Sequence, residues 1–409
     1  MATQHVALVP LGVVPAWSLR ASFHLVVAAQ VLLFAGSNLP TPLFAIYEHR
    51  YGFGPGVVTL LFCSYVAVLV PALVVLGPLA DRVGRRPLLV AGIAVTVLSS
   101  AVFLAARSVG WLFAGEMTYG IASAMVMSCV SVAIRELHPR GDVAAGALAA
   151  SVAMAAGMVL GPLTSGVLAE VTPWPTTSPY VLDIVLAAVL AVALVGVPET
   201  RPPGATTSPR ARTFHVPAEV RAAFIGPAAM GAATFMVVGW VFGLSPSFFH
   251  DELHVRITRP VIAGMFAALV ALTTGASQLL LRRQLGRRPA TGALLAVVLG
   301  MAMIAASSAL SCLAVAVVGG VVIGAGAGVA QMNAMATVQR TAPLHARGSA
   351  MATYVTICYL ALSLPVLIAG QAADRFGLAA VTWWYAVAVL LVVLVSLRLS
   401  PRADIRVTA

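Results

Sequence analysis

The feature that most constrains this chain is a series of long, almost uninterrupted apolar runs. A helix needs about 20 apolar residues to cross about 30 Å of hydrocarbon. Inside lipid every backbone polar group has to be satisfied, so a span is a helix or part of a closed barrel. Short alternating segments would mark a barrel, and these runs are long and continuous. Twelve are legible, near Ser22–Tyr47, Gly56–Ala80, Leu88–Arg107, Gly110–Ile134, Ala144–Leu168 and Tyr180–Val197, then near Ala222–Pro246, Pro260–Leu281, Ala290–Leu310, Cys312–Val338, Ser349–Gly370 and Ala379–Leu397. The 409 residues are 60% hydrophobic and only 9% charged, against about 25% charged in a soluble domain. That balance excludes an ordinary soluble enzyme and a disordered chain. It also argues against a nucleic-acid partner, despite a net charge of +11.

The basic residues are all Arg, and their placement tests the map of spans. With the N-terminus in the cytoplasm, nineteen of the 24 Arg fall in cytoplasmic segments. The outside holds Arg50, Arg107, Arg256, Arg259 and Arg375. This is the asymmetry of the positive-inside rule, and one miscounted span would scramble it downstream. Both termini are therefore expected in the cytoplasm. The Arg-only, Ala- and Val-rich usage fits a GC-rich bacterial genome, so the membrane is expected to be the cytoplasmic (inner) membrane of a bacterium. Trp111, Trp174, Trp383 and Trp384 fall near outer helix ends, as an interfacial belt would place them. Val6–Trp17 is apolar but interrupted by Pro10 and Pro15, so the first span is expected to act as its own targeting signal. Cys63, Cys129, Cys312 and Cys358 are scattered through apolar runs without metal or redox spacing, and no metal is expected.

The expected organisation is a cytoplasmic N-terminus (1–21), a six-helix half (22–198), a linker (199–221), a second six-helix half (222–397) and a cytoplasmic tail (398–409). The linker, Glu199–Arg221, is rich in Pro, Gly, Ser and Arg. The halves look related. GRRP occurs at Gly84–Pro87 and again at Gly286–Pro289, each between the second and third helix of its half. RELHPRG at Arg135–Gly141 and RTAPLHARG at Arg340–Gly348 each follow a fourth helix. Transporters built from repeated halves bind substrate near the midplane where the halves meet.

Gly77-Pro78-Leu79-Ala80-Asp81-Arg82-Val83-Gly84-Arg85-Arg86-Pro87 resembles the signature loop between helices two and three of the major facilitator superfamily. In helix five, Gly157-Met158-Val159-Leu160-Gly161-Pro162-Leu163-Thr164-Ser165-Gly166 is similar to the pattern of that family's drug–proton antiporters, with Ser165 in place of one Gly. Val197-Pro198-Glu199-Thr200 is a further family-like feature. The resemblance implies an all-α membrane protein of twelve helices in two pseudo-symmetric halves. It also implies a latch between the halves, for which Gly77, Asp81, Arg82, Gly84, Arg85, Arg86 and Arg135 are the candidates, with Asp81 facing the start of helix eleven. The second loop departs, because Arg283 stands where Asp81 does. Plain topogenic use of the Arg residues is the alternative. In helix five, Pro162 bends the helix, while Gly157, Gly161 and Gly166 permit close approach.

Glu116, in Leu112–Gly120 of helix four, stands where the resemblance usually has an Arg tied to proton coupling. A carboxylate within a span is expensive and marks function by default. Glu116 is therefore a candidate to carry a proton or hold a substrate cation; the alternative is an outer-end Glu that snorkels or pairs with Arg107. Asp183 is the second coupling candidate, although its place near the start of helix six equally suits a solvated interface. The resemblance implies that helices one, four, seven and ten line the central path. This ranks Asn38, Tyr119, Trp240, Asn333 and, from helix eleven, Tyr354 as substrate-cavity candidates. The Gly319–Gly328 run lacks the strand, Lys-Ser/Thr and acid of a nucleotide loop, so helix packing explains it better. With no ATP site and no catalytic constellation, the expectation is a monomeric secondary transporter without a cofactor. It is expected to export a small amphipathic compound, driven by the proton gradient. Uptake of a metabolite, or a non-transporting receptor on the same fold, are the alternatives.

Overall fold

The structure is a computed structural model that describes residues 17–200, 221–257, 259–281, 290–343 and 346–399, without the Asp81 side chain. Among the described residues it is helical and contains no strand. The first span is α1 (Leu19–Gly36), a 3-10 turn (Thr41–Leu43) and α2 (Phe44–Tyr51). Then follow α3 (Pro55–Val83), α4 (Arg85–Leu104), α5 (Val109–Met127) with α6 (Val130–Glu136), α7 (Val143–Val171) and α8 (Ser178–Val195). The second set is α9 (Arg221–Gly243) with α10 (Ser245–Asp251), α11 (Pro260–Leu281), α12 (Ala290–Ala309), α13 (Leu313–Thr341), α14 (Arg347–Phe376) and α15 (Leu378–Leu399). Twelve of these stretches are long and apolar enough to cross a membrane.

Packing divides the chain into two units, Met1–Ala211 with Val255–Leu272, and Arg212–His254 with Thr273–Ala409. The first part of the eighth span thus groups with the first unit. The expected linker between 201 and 220, the second GRRP copy with Arg283, most of the N-terminus and most of the tail lie outside the described residues.

Two predicted helices are broken rather than continuous. The first span breaks after Gly36, where Pro40 and Pro42 remove backbone donors and Asn38 Nδ2 donates to Phe34 O at 2.7 Å. The fourth breaks at Ser128–Cys129. There Ser128 Oγ donates back to Met125 O at 2.7 Å, a bond that competes with the helix and bends it. Interior Pro71, Pro78, Pro162, Pro227 and Pro365 are accommodated within helices, as neighbouring helices allow in membrane proteins.

Apolar side chains cover the outside as well as the core. Val192 is 76% exposed and Leu280 77%, a surface that fits hydrocarbon rather than water. Small residues let helices meet. In α13, Gly319 lies so close to α12 that a Cβ would come within 2.8 Å of Gly300 O, which gives the glycine run its packing role.

Candidate functional site

At one end of the helices of the first unit, where α3 meets α4, the signature loop forms a compact polar junction. Gly77 is buried within α3, and Arg82 is exposed in its last turn. Gly84 then turns the chain at φ +107°, a conformation that side chains resist, and a Cβ there would stand 2.6 Å from Glu199 Oε2. The turn delivers the first turn of α4 to the Glu199 carboxylate: Arg85 N–H donates to Oε1 and Arg86 N–H to Oε2, each at 3.0 Å. A carboxylate on free N–H groups at a helix start is favourable by hydrogen bonding and by the helix dipole. The Arg85 guanidinium pairs with Glu136 at the end of α6 and reaches Thr200 Oγ1 at 3.3 Å. Arg135 turns its Nε to Ser131 O, one turn back on its own helix. Among the described residues, Glu136 and Glu199 are thus the acids of this junction. Sequence reasoning left both out, although each sits inside a quoted motif. The Asp81 side chain, the expected acid, lies outside the described residues.

The helix-five motif is a packing seam. Gly161 rests directly on Ala35 O of α1, and a Cβ at Gly157 would come within 2.6 Å of Phe34 Cβ. Beyond Pro162, Gly166 meets the start of α11, where a Cβ would lie 2.9 Å from Val261 Cα. Ser165, the departure from the pattern, is fully buried. Its hydroxyl donates to Leu39 O in the break of the first span at 2.7 Å.

The two intramembrane acids are both buried, Glu116 6% exposed and Asp183 4%. Neither forms an ion pair with a described residue, so the pairing of Glu116 with Arg107 is absent there and its snorkelling is excluded by burial. The solvated, interfacial alternative for Asp183 is likewise corrected: α8 turns it inward, where Ser100 Oγ donates to Oδ2 at 2.6 Å. Glu116 lies within electrostatic reach of Tyr47, Tyr119 and Tyr180. Tyr47 Oη donates to Tyr180 Oη at 3.2 Å, and Tyr180 stacks on Phe103. Tyr119 Oη donates to Leu33 O at 3.0 Å and stands against Gly36, as does Asp183 Oδ1. The first unit therefore brings Glu116, Tyr119 and Asp183 into one buried polar region, with Ser100 as a member that sequence reasoning missed.

The remaining cavity candidates have local surroundings. Asn38 is half-buried and bonded to Phe34 O and Ser37 Oγ. In the second unit, Trp240 is fully buried against Phe248, with no partner for its Nε1 among the described residues. Asn333 Nδ2 donates to Val329 O at 2.9 Å within α13. The Tyr354 hydroxyl presses on Gly231 of α9. No cluster of potential metal ligands occurs among the described residues.

A family model for the Major Facilitator Superfamily matches residues 26–366, and the chain belongs to that superfamily. Among named relatives, the multidrug transporter MdfA of Yersinia pestis bv. Antiqua (strain Angola) is 36% identical over 115 residues, 28% of this chain and 27% of the relative. The multidrug efflux pump LfrA of Mycolicibacterium smegmatis is 33% identical over 183 residues, 44% of this chain and 36% of the relative. The chain thus matches about a third of the length of these relatives. Among solved structures, a bacterial homolog of the human lysosomal transporter Spinster superposes with TM-score 0.74 at 15% identity, covering 93% of this chain and 97% of the other. A POT family transporter in complex with 5-aminolevulinic acid superposes with TM-score 0.76 at 12% identity, covering 94% and 96%. These two likenesses speak for the fold alone.

Proposed function

We propose that this chain exports a small amphipathic compound, a drug, antibiotic or metabolite, in exchange for protons by alternating access. The observation that carries the reading is Glu116, a buried carboxylate with no cationic partner among the described residues. An isolated charge in such a place is costly, so the site favours a bound proton or a bound cation over neither. In the proposed cycle Glu116 takes a proton while its site opens outward and releases it when the site opens to the cytoplasm. Asp183 is the second proton-binding candidate. The loop from Gly77 through Asp81, Arg82, Gly84, Arg85 and Arg86, together with Arg135, serves as the gating latch. Asn38, Tyr119, Trp240, Asn333 and Tyr354 are the proposed cavity residues. The matched stretches of MdfA and LfrA support export over uptake. The proton gradient supplies the driving force without a resident cofactor, and the working form is a monomer in the bacterial inner membrane. Both termini face the cytoplasm, and nucleic acid is no partner.

Inverted membrane vesicles test this. Energised by respiration, they acidify inside, and the native chain is expected to drive a fluorescent lipophilic cation into them. Glu116→Gln should abolish that accumulation. Retained proton-driven accumulation in the variant removes Glu116 from the role, and accumulation only in right-side-out vesicles reverses the direction.

A further inference from the structure

The first unit carries a groove of about 520 Å³ between α1, α7 and α8, within the about 300–1,000 Å³ range of small-molecule sites. Along α1 it reaches from Leu25 to Gly36, roughly 16 Å at the rise of a helix, and it continues to Leu39 past the helix end. Its walls are almost wholly apolar, and Thr164 and Asp183 are its only polar side chains. Leu186 and Val189, on its α8 wall, are 49% and 65% exposed, so the groove faces the surrounding hydrocarbon.

The carboxylate makes this more than a furrow between helices. Ser100 satisfies Asp183 Oδ2, while no donor among the described residues bonds to Oδ1. That oxygen borders Gly36, whose missing Cβ leaves it room. A lipid acyl chain would fill the apolar length and leave Oδ1 without a partner. A body of the same shape that carries an ammonium group would satisfy both, because a charge-assisted hydrogen bond gains strength where water is excluded.

We propose that this groove is a lipid-facing subsite for a lipophilic amine, with its apolar body along α1 and α8 and its ammonium on Asp183 Oδ1. The proposal rests on reading the chain as an exporter of amphipaths, and it names the class of amphipath and its place of entry from the bilayer.

The test uses the full chain in lipid nanodiscs and two photoactivatable probes of equal length, a diazirine-bearing dodecylamine and the matching dodecanol. Labelled peptides are read by mass spectrometry. In the native chain the amine should label the α8 segment around Leu186 about tenfold more than the alcohol, the ratio expected of one charge-assisted bond. Asp183→Asn should bring the amine down to the level of the alcohol. Leu186→Trp, which narrows the groove and keeps the carboxylate, should reduce labelling by both. Equal labelling by the two probes in the native chain overturns the proposal, and so does an amine preference that survives Asp183→Asn. The native ratio decides even if a variant fails to fold. Glu116→Gln separates the two readings. Lost transport with no amine preference sinks the subsite alone, whereas amine preference with proton coupling retained in Glu116→Gln sinks the coupling role alone.

Discussion

At the scale of single residues, the departures from the family pattern carry the most information. Ser165 stands where a Gly was expected, and its hydroxyl holds Leu39 O at the break of the first span. That carbonyl has lost its helical partner because the chain turns at Pro40. Removing the hydroxyl leaves a buried acceptor unsatisfied, at a cost of about 1–3 kcal/mol. Ser165→Ala is therefore expected to lower the thermal unfolding midpoint of the purified chain by several degrees; an unchanged midpoint would show that the bond contributes nothing. The sequence made Ser165 visible as an exception, but its partner lies 126 residues away, and no local pattern reports such a pairing. The same holds for Asp183. Its type and its rarity in a span were legible, while its inward orientation and its Ser100 partner depend on how α8 lies on α4.

At the scale of elements, hydrophobic run length identified every span and left the breaks unseen. An apolar run does not reveal that Ser128 folds its hydroxyl back on Met125, because helix and broken helix have the same hydropathy. Caps are more local. Asp142 accepts the N–H groups of Ala144 and Ala145, both at 2.9 Å, at the start of α7, and these bonds hold its carboxyl below the usual carboxylate range. A lowered folded value means the cap is formed above the ordinary carboxylate range and is lost as the pH falls through the lowered value. Hydrogen exchange at Ala144 and Ala145, corrected for the intrinsic rate, should therefore be slow at neutral pH and quicken in strong acid. Asp142→Ala should show the fast behaviour at every pH. Equal protection in the two chains at neutral pH would refute the cap. At the junction of α3 and α4, the Glu199 cap on α4 explains why the tight turn at Gly84 and the segment after α8 belong together, joined by bonds between residues 114 and 113 apart in the sequence.

At the scale of the whole molecule, the repeated loops and the Arg asymmetry were enough to read a two-part, twelve-span membrane protein, and the match to the superfamily over residues 26–366 agrees. Topology is legible because the bilayer imposes length and charge rules on every segment. Function is less so, since a coupling site needs only one or two groups whose meaning depends on burial. Glu116 could be picked out by cost alone, yet whether it faced an Arg partner or stood without one required the packed structure.

The proposed exchange of a proton for a small amphipathic compound runs through Glu116. Its most direct test is proton flux in proteoliposomes that hold the purified chain and a pH-sensitive dye, after a permanently charged lipophilic cation is added to one side. Protons are expected to move opposite to the cation in the native chain and not at all with Glu116→Gln. Cation movement without proton flux, or with protons moving in the same direction, would contradict it.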